Sequence, residues 1–177
     1  MAFPEGRTEQ PLPGLNWRPM TADDLDGVVE VARIGFPDHF EGRDCFENRL
    51  ALNAGGCFVL AAPDGPVRGY MVAYPWRREA APALNTLIDA LPDDAEVMYL
   101  HDLALHPEAR GGGHARPVVE ALADLARADG WPELALVAVN DATPFWARHG
   151  FVVHETPAMA AKLASYGDDA RYMLRPL

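Results

Sequence analysis

The groups able to do chemistry crowd into Tyr99 to Leu122, which reads Tyr-Leu-His-Asp-Leu-Ala-Leu-His-Pro-Glu-Ala-Arg-Gly-Gly-Gly-His-Ala-Arg-Pro-Val-Val-Glu-Ala-Leu. Three consecutive glycines, Gly111, Gly112 and Gly113, stand just ahead of a helix expected from Ala115. Glycine reaches backbone angles closed to other residues and leaves its N–H bare of side chain. At a helix start, where several N–H groups lack partners and the macrodipole is positive, that makes a ready anion site. The chemistry this spacing predicts is a grip on phosphate.

Two nucleotide-phosphate loops fail against it. A P-loop needs Gly-Lys-Ser/Thr, and the chain's one lysine is Lys162. The dinucleotide fingerprint needs a third glycine after Gly111 and Gly113, and none follows there. What remains is Arg110-x-x-Gly113-x-Ala115 between a strand and a helix, a pattern that a plain capping loop with a solvated arginine could equally produce. The wider context adds a second element. After an apolar strand from Leu134 to Asn140 comes Asn140-Asp-Ala-Thr-Pro-Phe145-Trp146-Ala-Arg-His-Gly150-Phe151.

Together these two stretches resemble the GNAT-type (Gcn5-related) N-acetyltransferases. The first matches their acyl-CoA pyrophosphate loop, Gln/Arg-x-x-Gly-x-Gly/Ala, with the family's spacing from Leu103 through Pro107 to Arg110. The second matches their Asn, aromatic-pair and Gly-Phe motif. The resemblance covers roughly Trp17 to the end. It implies an enzyme of the acyl-CoA N-acyltransferase kind, with acetyl-CoA as cosubstrate and the acetyl group moved directly to a primary amine of a small molecule. It also implies that Arg110, Gly111, Gly112, Gly113, His114 and Ala115 hold the diphosphate. Backbone at Leu103, Ala104 and Leu105 would bond the pantetheine arm and the thioester carbonyl, and Asn140, Phe145 and Trp146 would flank the cofactor. Phe36, His39, Tyr74 and Trp76 fall where the family shapes its acceptor pocket.

Acetyl transfer needs an uncharged amine, and an alkylamine arrives mainly protonated at neutral pH, so a base must take its proton. His101 and Asp102 are the nearest candidates, with Tyr99 beside them. Polyamine acetyltransferases carry Glu-Asp where this chain has His101-Asp102. Strict strand alternation puts Tyr99 and His101 on one face and Asp102 on the other. A second departure concerns the acid: four residues before Gly150 the family usually has tyrosine, and here stands Trp146, whose indole N–H is no useful proton source. Tyr74, Tyr99 or a water would have to serve, or the thiolate leaves unassisted. His101, His106 and His114 match no familiar metal spacing, so no metal is expected. Two rivals stand beside the small-molecule enzyme: a non-catalytic acyl-CoA sensor, and an acetyltransferase acting on protein or peptide amines.

These groups need a scaffold. The 177 residues, 49% of them hydrophobic, suit one domain with a full core. Residues 15–177 form that domain, after a loose arm over residues 1–14 that lacks the apolar stretch of a signal peptide. No apolar run reaches membrane-spanning length, and a formal charge of −11 repels nucleic-acid backbones. Cys45 and Cys57 read as reduced packing thiols, which points to the cytoplasm. A homodimer is compatible with all of this.

The periodicity predicts a strand at Leu15–Met20, a helix entered through Thr21-Ala-Asp-Asp24, and a helix at Asp44–Asn53. A hairpin of Cys57–Ala62 and Val67–Tyr74 follows, then a proline-spotted stretch with a short helix at Ala83–Leu91. The strand Val97–Leu105, the helix from Ala115, the strand Leu134–Asn140, the helix Pro144–His149, and strands Phe151–Thr156 and Ala170–Arg175 complete the order. The fold class expected is α/β, a mixed central sheet with helices on both faces in the GNAT-like acyl-CoA N-acyltransferase arrangement.

Overall fold

The computed structural model describes residues 14–177, so most of the arm expected at residues 1–14 lies outside the described residues. Seven strands, β1 (Asn16–Pro19), β2 (Cys57–Ala61), β3 (Gly69–Trp76), β4 (Val97–Leu105), β5 (Glu133–Ala138), β6 (Val152–Val153) and β7 (Arg171–Pro176), form one sheet ordered β1-β2-β3-β4-β5-β7-β6. Only β4 and β5 run parallel, which requires a crossover, and the helix α3 (Ala115–Ala128) supplies it. All other neighbours are antiparallel.

The alternation of each strand feeds two cores. One face carries Val59, Tyr70, Val72, Val97 and Tyr99 against α1 (Leu25–Gly35), α2 (Arg43–Leu52) and α5 (Pro157–Leu163). The other carries Met71, Ala73, Met98, Leu100 and Leu134 against α3 and α4 (Thr143–Ala147). Both faces are therefore covered, as the expected fold class requires. Helix α1 buries Leu25, Val28, Val31 and Ala32, one stripe at helical spacing. Its approach is fixed by the Thr21 N–H, which donates to Asp24 (2.8 Å), whose carboxylate is gripped at both oxygens by Arg18 (2.7 Å each).

Two elements differ from expectation. Ala83–Leu91 forms no helix, because its backbone bonds outward to α2: Ile88 exchanges two 2.9 Å bonds with the Asn48 amide, and the Thr86 carbonyl accepts from Arg49 at 2.6 Å. The left-handed φ of 54° at Asn85 also breaks the helical path. Conversely, α5 was not expected, although Thr156 caps it by accepting from the Met159 N–H (3.2 Å) and Pro157 occupies its first turn. Cys45 and Cys57 are free and buried, and burial pushes the Cys57 thiol up to about 12, so it packs as an inert group. Among the described residues no helix is long and apolar enough to cross a membrane.

Candidate active site

The site begins where two strands part. The parallel ladder of β4 and β5 holds only Met98 with Leu134 and Tyr99 with Ala135, and beyond Tyr99 the strands splay. From Leu100 onward β4 has a ladder partner only in β3. Because the His106 N–H bonds the Arg68 carbonyl beside β3 (2.8 Å), backbone alternation directs the N–H of Leu105, and likewise that of Leu103, into the gap. The splay thus exposes main-chain donors along a cleft without requiring any particular side chain.

At one end of the cleft lies the glycine loop. Gly111 and Gly113 adopt φ of 79° and 74°, the left-handed region that favours glycine, and a Cβ at either would meet open space. Among the described residues, the N–H groups of Gly111, Gly112, Gly113 and His114 make no hydrogen bond. They precede a helix of 14 residues. The loop is held from behind, since the Trp17 indole on β1 donates to the His114 carbonyl (2.7 Å) and Arg110 Nε donates to the Leu105 carbonyl (3.1 Å). Arg110 thereby keeps its charge at the mouth of a cavity of about 220 Å³ that it lines with Leu103, Ala104, Leu105, Ala115 and Phe145.

That cavity shares Phe36, Leu103 and Phe145 with the next, a cavity of about 140 Å³ deeper in the splay. Tyr99, His101, Asp102, His39 and Trp146 all line it. So does Glu41, from the loop between α1 and α2, which sequence reasoning did not single out. Glu41 Oε1 lies 2.5 Å from His101 Nε2, and their side chains are only 6% and 5% exposed. Burial would push the Glu41 carboxyl up, but the charge and hydrogen bond of His101, helped by the Arg49 guanidinium, outweigh it and hold the group below its usual range. Glu41 accepts the Nε2–H, and the Tyr74 hydroxyl lies 3.0 Å from Nδ1, accepting from the charged imidazole and donating to the neutral one. No local sequence pattern marks Glu41, because its partner lies 60 positions away.

Asp102 corrects the alternation argument. The β3–β4 register slips between Val72 and Ala73, pairing them with Asp102 and Leu100, so His101 is an extra residue in a β-bulge. Asp102 consequently turns to the same side as Tyr99, where the Tyr70 hydroxyl donates to it. Burial is the main cause that pushes its carboxyl up to about 7, against the pull of His101 and of the Tyr70 hydrogen bond.

Two expected pocket residues sit elsewhere. Tyr74, 1% exposed, is core beneath His101, and Trp76 packs edge-to-face against it at 5.7 Å, so neither lines the cavity. Both belong to the half of β3 that the α1–α2 face covers. Asn140, with φ of 54°, is an exposed turn residue past the end of β5 and borders neither cavity. Phe36 and His39 line the cavity. Phe145 and Trp146 stand edge-to-face at 4.9 Å, with Trp146 buried against Phe151, which fixes the wall opposite β4. His106 and His114 lie outside the cleft's polar centre, and no group of three potential ligands is placed to hold a metal among the described residues.

With this geometry in hand, the comparisons with known proteins are consistent. The Acetyltransferase (GNAT) family model matches residues 23–151. The chain belongs to the GNAT family of acetyltransferases, enzymes that use acetyl-CoA as acyl donor. Among curated proteins none matches the chain. Among solved structures, Ard1 from Thermoplasma volcanium shares the fold at a TM-score of 0.71 and 16% identity, over 93% of this chain and 98% of that one. N-acetylglutamate synthase from Neisseria gonorrhoeae, complexed with coenzyme A and N-acetyl-glutamate, gives 0.69 at 18% identity, over 92% of this chain but 35% of its own. A chain of the NatC complex bound to Gag peptide and CoA gives 0.67 at 16% identity, over 93% and 99%.

Proposed function

We propose that this chain transfers the acetyl group of acetyl-CoA directly to the primary amine of a small molecule. One observation carries the reading: two neighbouring cavities that share Phe36, Leu103 and Phe145 lie between the unpaired N–H groups at the start of α3 and a buried carboxylate–imidazole pair, along the open edge of β4. Arg110 and the N–H groups of residues 111–114 suit a diphosphate, and the exposed donors of Leu103 and Leu105 suit an amide-bearing pantetheine arm and the thioester oxygen. The bound thioester supplies an activated acyl carbon. No cysteine borders the groove, which favours direct attack over an acyl-enzyme.

The residues around the groove's inner end would manage protons. The arriving ammonium gives one proton to the Glu41–His101 pair, through water or directly at the carboxylate. The freed nitrogen forms the C–N bond as the C–S bond breaks, and the second nitrogen proton goes to the departing thiolate. With Trp146 unable to supply a proton, a water fills that role, and a thiol pKa near 8.5 makes the thiolate a tolerable leaving group. His101 with both nitrogens engaged works as half of a proton-sharing pair, and Tyr74 partners Nδ1 in either charge state.

The solved structures of the fold include one bound to an acetylated amino acid and one bound to a peptide, so the fold leaves the acceptor open. A peptide acceptor would need a groove running past the site. Here Phe36, Leu84 and Tyr166 border the inner cavity from three separate segments, which favours a small acceptor. The test mixes purified protein with acetyl-CoA and a panel of amines, reads thiol release with a disulfide reagent, and weighs the product. Thiol release that depends on an amine, with a matching acetylated product, is expected. Tight coenzyme binding without transfer to any amine would point to the acyl-CoA sensor instead.

A further inference from the structure

Behind the Glu41–His101 pair lies a charge that the proton path above does not use. Arg49 of α2 is 2% exposed, one of the largest fully buried side chains of the protein. Its Nη1 donates to the Thr86 carbonyl (2.6 Å) and to Asn48 Oδ1 (2.9 Å), whereas Nε and Nη2, both buried, have no partner among the described residues. No carboxylate touches the guanidinium there, so contact does not cancel its charge. Burying an arginine without a contacting anion is costly, and its placement calls for a use.

Two connections bring that charge to the pair. The guanidinium carbon stands 5.9 Å from the centroid of the Tyr74 ring, and the same ring lies 5.6 Å from that of His101. The non-helical stretch Ala83–Leu91 supplies the second: the Asn85 N–H bonds Glu41 Oε2 (3.4 Å), and the next residue, Thr86, holds Arg49. Adjacent residues thus tie down the carboxylate and the guanidinium together.

The other titratable groups around Glu41 add no fixed positive charge. Tyr70 and Tyr74 on β3, Tyr99 and Asp102 on β4, Cys45 on α2 and Tyr166 after α5 are each neutral or, when ionised, negative, and burial keeps the phenols and the thiol protonated. On Glu41's own loop, His39 is committed through Nε2 to the Tyr166 carbonyl at 2.8 Å. Arg33 of α1 is exposed and paired with Glu30 at 2.7 Å. Arg49 is the one buried arginine beside the pair among the described residues.

Charge counting gives it a role. To accept the amine's proton, the pair must rest with a single proton between them and one net negative charge. Arg49 balances that charge, so the resting cluster is neutral, and a second proton leaves one net positive charge that burial disfavours. Without Arg49 the negative charge would stand alone, and solvent protons would fill the pair near neutral pH. A filled pair takes nothing from the amine.

Resting on the transferase reading above, we infer that Arg49 is a positioning residue of the acetyl transfer: acting through Tyr74 and Glu41, its buried charge keeps the pair open to a proton at neutral pH and drives the proton that the amine delivers onward to solvent.

The experiment compares wild type with Arg49→Gln and Arg49→Met, which remove the charge, and with Arg49→Lys, which keeps it. The amide of Arg49→Gln can still donate to the Thr86 carbonyl, which makes it the milder of the two uncharged variants on folding. One readout is kcat against pH with acetyl-CoA and the best amine of the panel. The other needs no turnover: proton uptake by the pair is followed by NMR on 13C-labelled histidine, the His101 signal being the one lost in His101→Gln. Both uncharged variants should move the acidic limb of the kcat profile and the NMR midpoint up by about one pH unit, the scale of one charge at this separation in a protein's effective dielectric. At pH 6 kcat should therefore fall about tenfold, and at pH 9 it should stay within about threefold of wild type. Arg49→Lys should return both readouts to within about half a unit of wild type, and the KM for acetyl-CoA should not change in any variant. A kcat lowered by one factor at every pH with an unmoved NMR midpoint would be the mark of packing alone and overturns the inference, as does Arg49→Lys behaving like the uncharged variants. A moved midpoint with no transfer to any amine, wild type included, overturns the transferase reading and leaves Arg49 its hold on the pair's proton.

Discussion

The glycine loop offers main-chain N–H groups on the surface, fixed by φ angles and by one indole behind them. The cluster of Glu41, His101 and Asp102 offers side chains, nearly all buried, drawn from a loop and a bulged strand 60 positions apart. The first region depends on what glycine lacks, and the second on what three specific side chains carry. On the proposed reading, binding and chemistry are therefore separable: the loop can be damaged without touching the proposed proton path, and the reverse.

The sharpest break of that comparison is Gly113→Val. With φ of 74° a β-branched residue is strained, and relaxing the strain would move the free N–H groups out of line. Each hydrogen bond to a charged group is worth about 1.5–3 kcal/mol, so losing two predicts at least a roughly 100-fold weaker affinity for coenzyme A by calorimetry. The strain at that φ, about 1–3 kcal/mol, predicts a melting temperature lower by several degrees, while the open space around the position leaves the rest of the fold undisturbed. Affinity within threefold of wild type would remove the loop from the site.

Glu41→Gln probes the other region. The amide oxygen can still accept the His101 N–H, so geometry survives while the negative charge goes. A loss of about 100-fold in kcat at neutral pH is expected, the lower end of the range for a positioned base. The deficit should shrink as pH rises and the amine arrives neutral, with the KM for acetyl-CoA unchanged. A pH–rate profile parallel to wild type would exclude the pair as proton acceptor.

The asymmetry between the two regions also explains what the sequence made legible. The loop is contiguous, and its glycines, arginine and following helix are adjacent in the chain, so the pattern could be read directly. The strand order around it was legible for the same reason, since period-two and helical stripes are local. Glu41 was not, because Asp-His-Phe-Glu-Gly reads as any polar turn until folding brings it to His101. The facing of Asp102 was lost to the bulge, a one-residue slip that reverses alternation and that no side-chain pattern announces. The absent helix at Ala83–Leu91 is a tertiary override, with α2 side chains taking the backbone bonds that a helix would have kept. Helix α5 carries a local signal in Thr156-Pro157, a cap followed by a proline in the first turn, and was legible for the same reason as the glycine loop.

Asp102 yields a prediction on stability. Its carboxyl is raised from an ordinary 3.8 to about 7, so the folded state holds the proton more tightly than the unfolded chain. The stability this contributes is complete below about 3.8 and is lost progressively as pH rises through about 7. Asp102→Asn cannot ionise and still presents an oxygen to the Tyr70 hydroxyl. The variant should match wild type near pH 4 and exceed it at pH 8 by about 4 kcal/mol, or roughly 10 °C in melting temperature. A constant difference across that range would mean that Asp102 does not titrate with folding.

The smallest effect is expected at Trp146, which lines the inner cavity next to Phe145. Its indole is wedged between Phe145 and Phe151 at 4.9 and 5.4 Å, both edge-on, and these contacts account for its burial without any chemical duty. Trp146→Tyr trades part of that packing for a hydroxyl able to protonate the thiolate. The lost packing should lower the melting temperature by a few degrees, as removing buried aromatic surface costs about 1 kcal/mol or more. Turnover should stay within about threefold, because a thiolate with a pKa near 8.5 leaves readily without help. A tenfold rise in kcat would show that departure of the thiolate limits the wild-type reaction, and would move the slow step from the Glu41–His101 pair to the opposite wall of the groove.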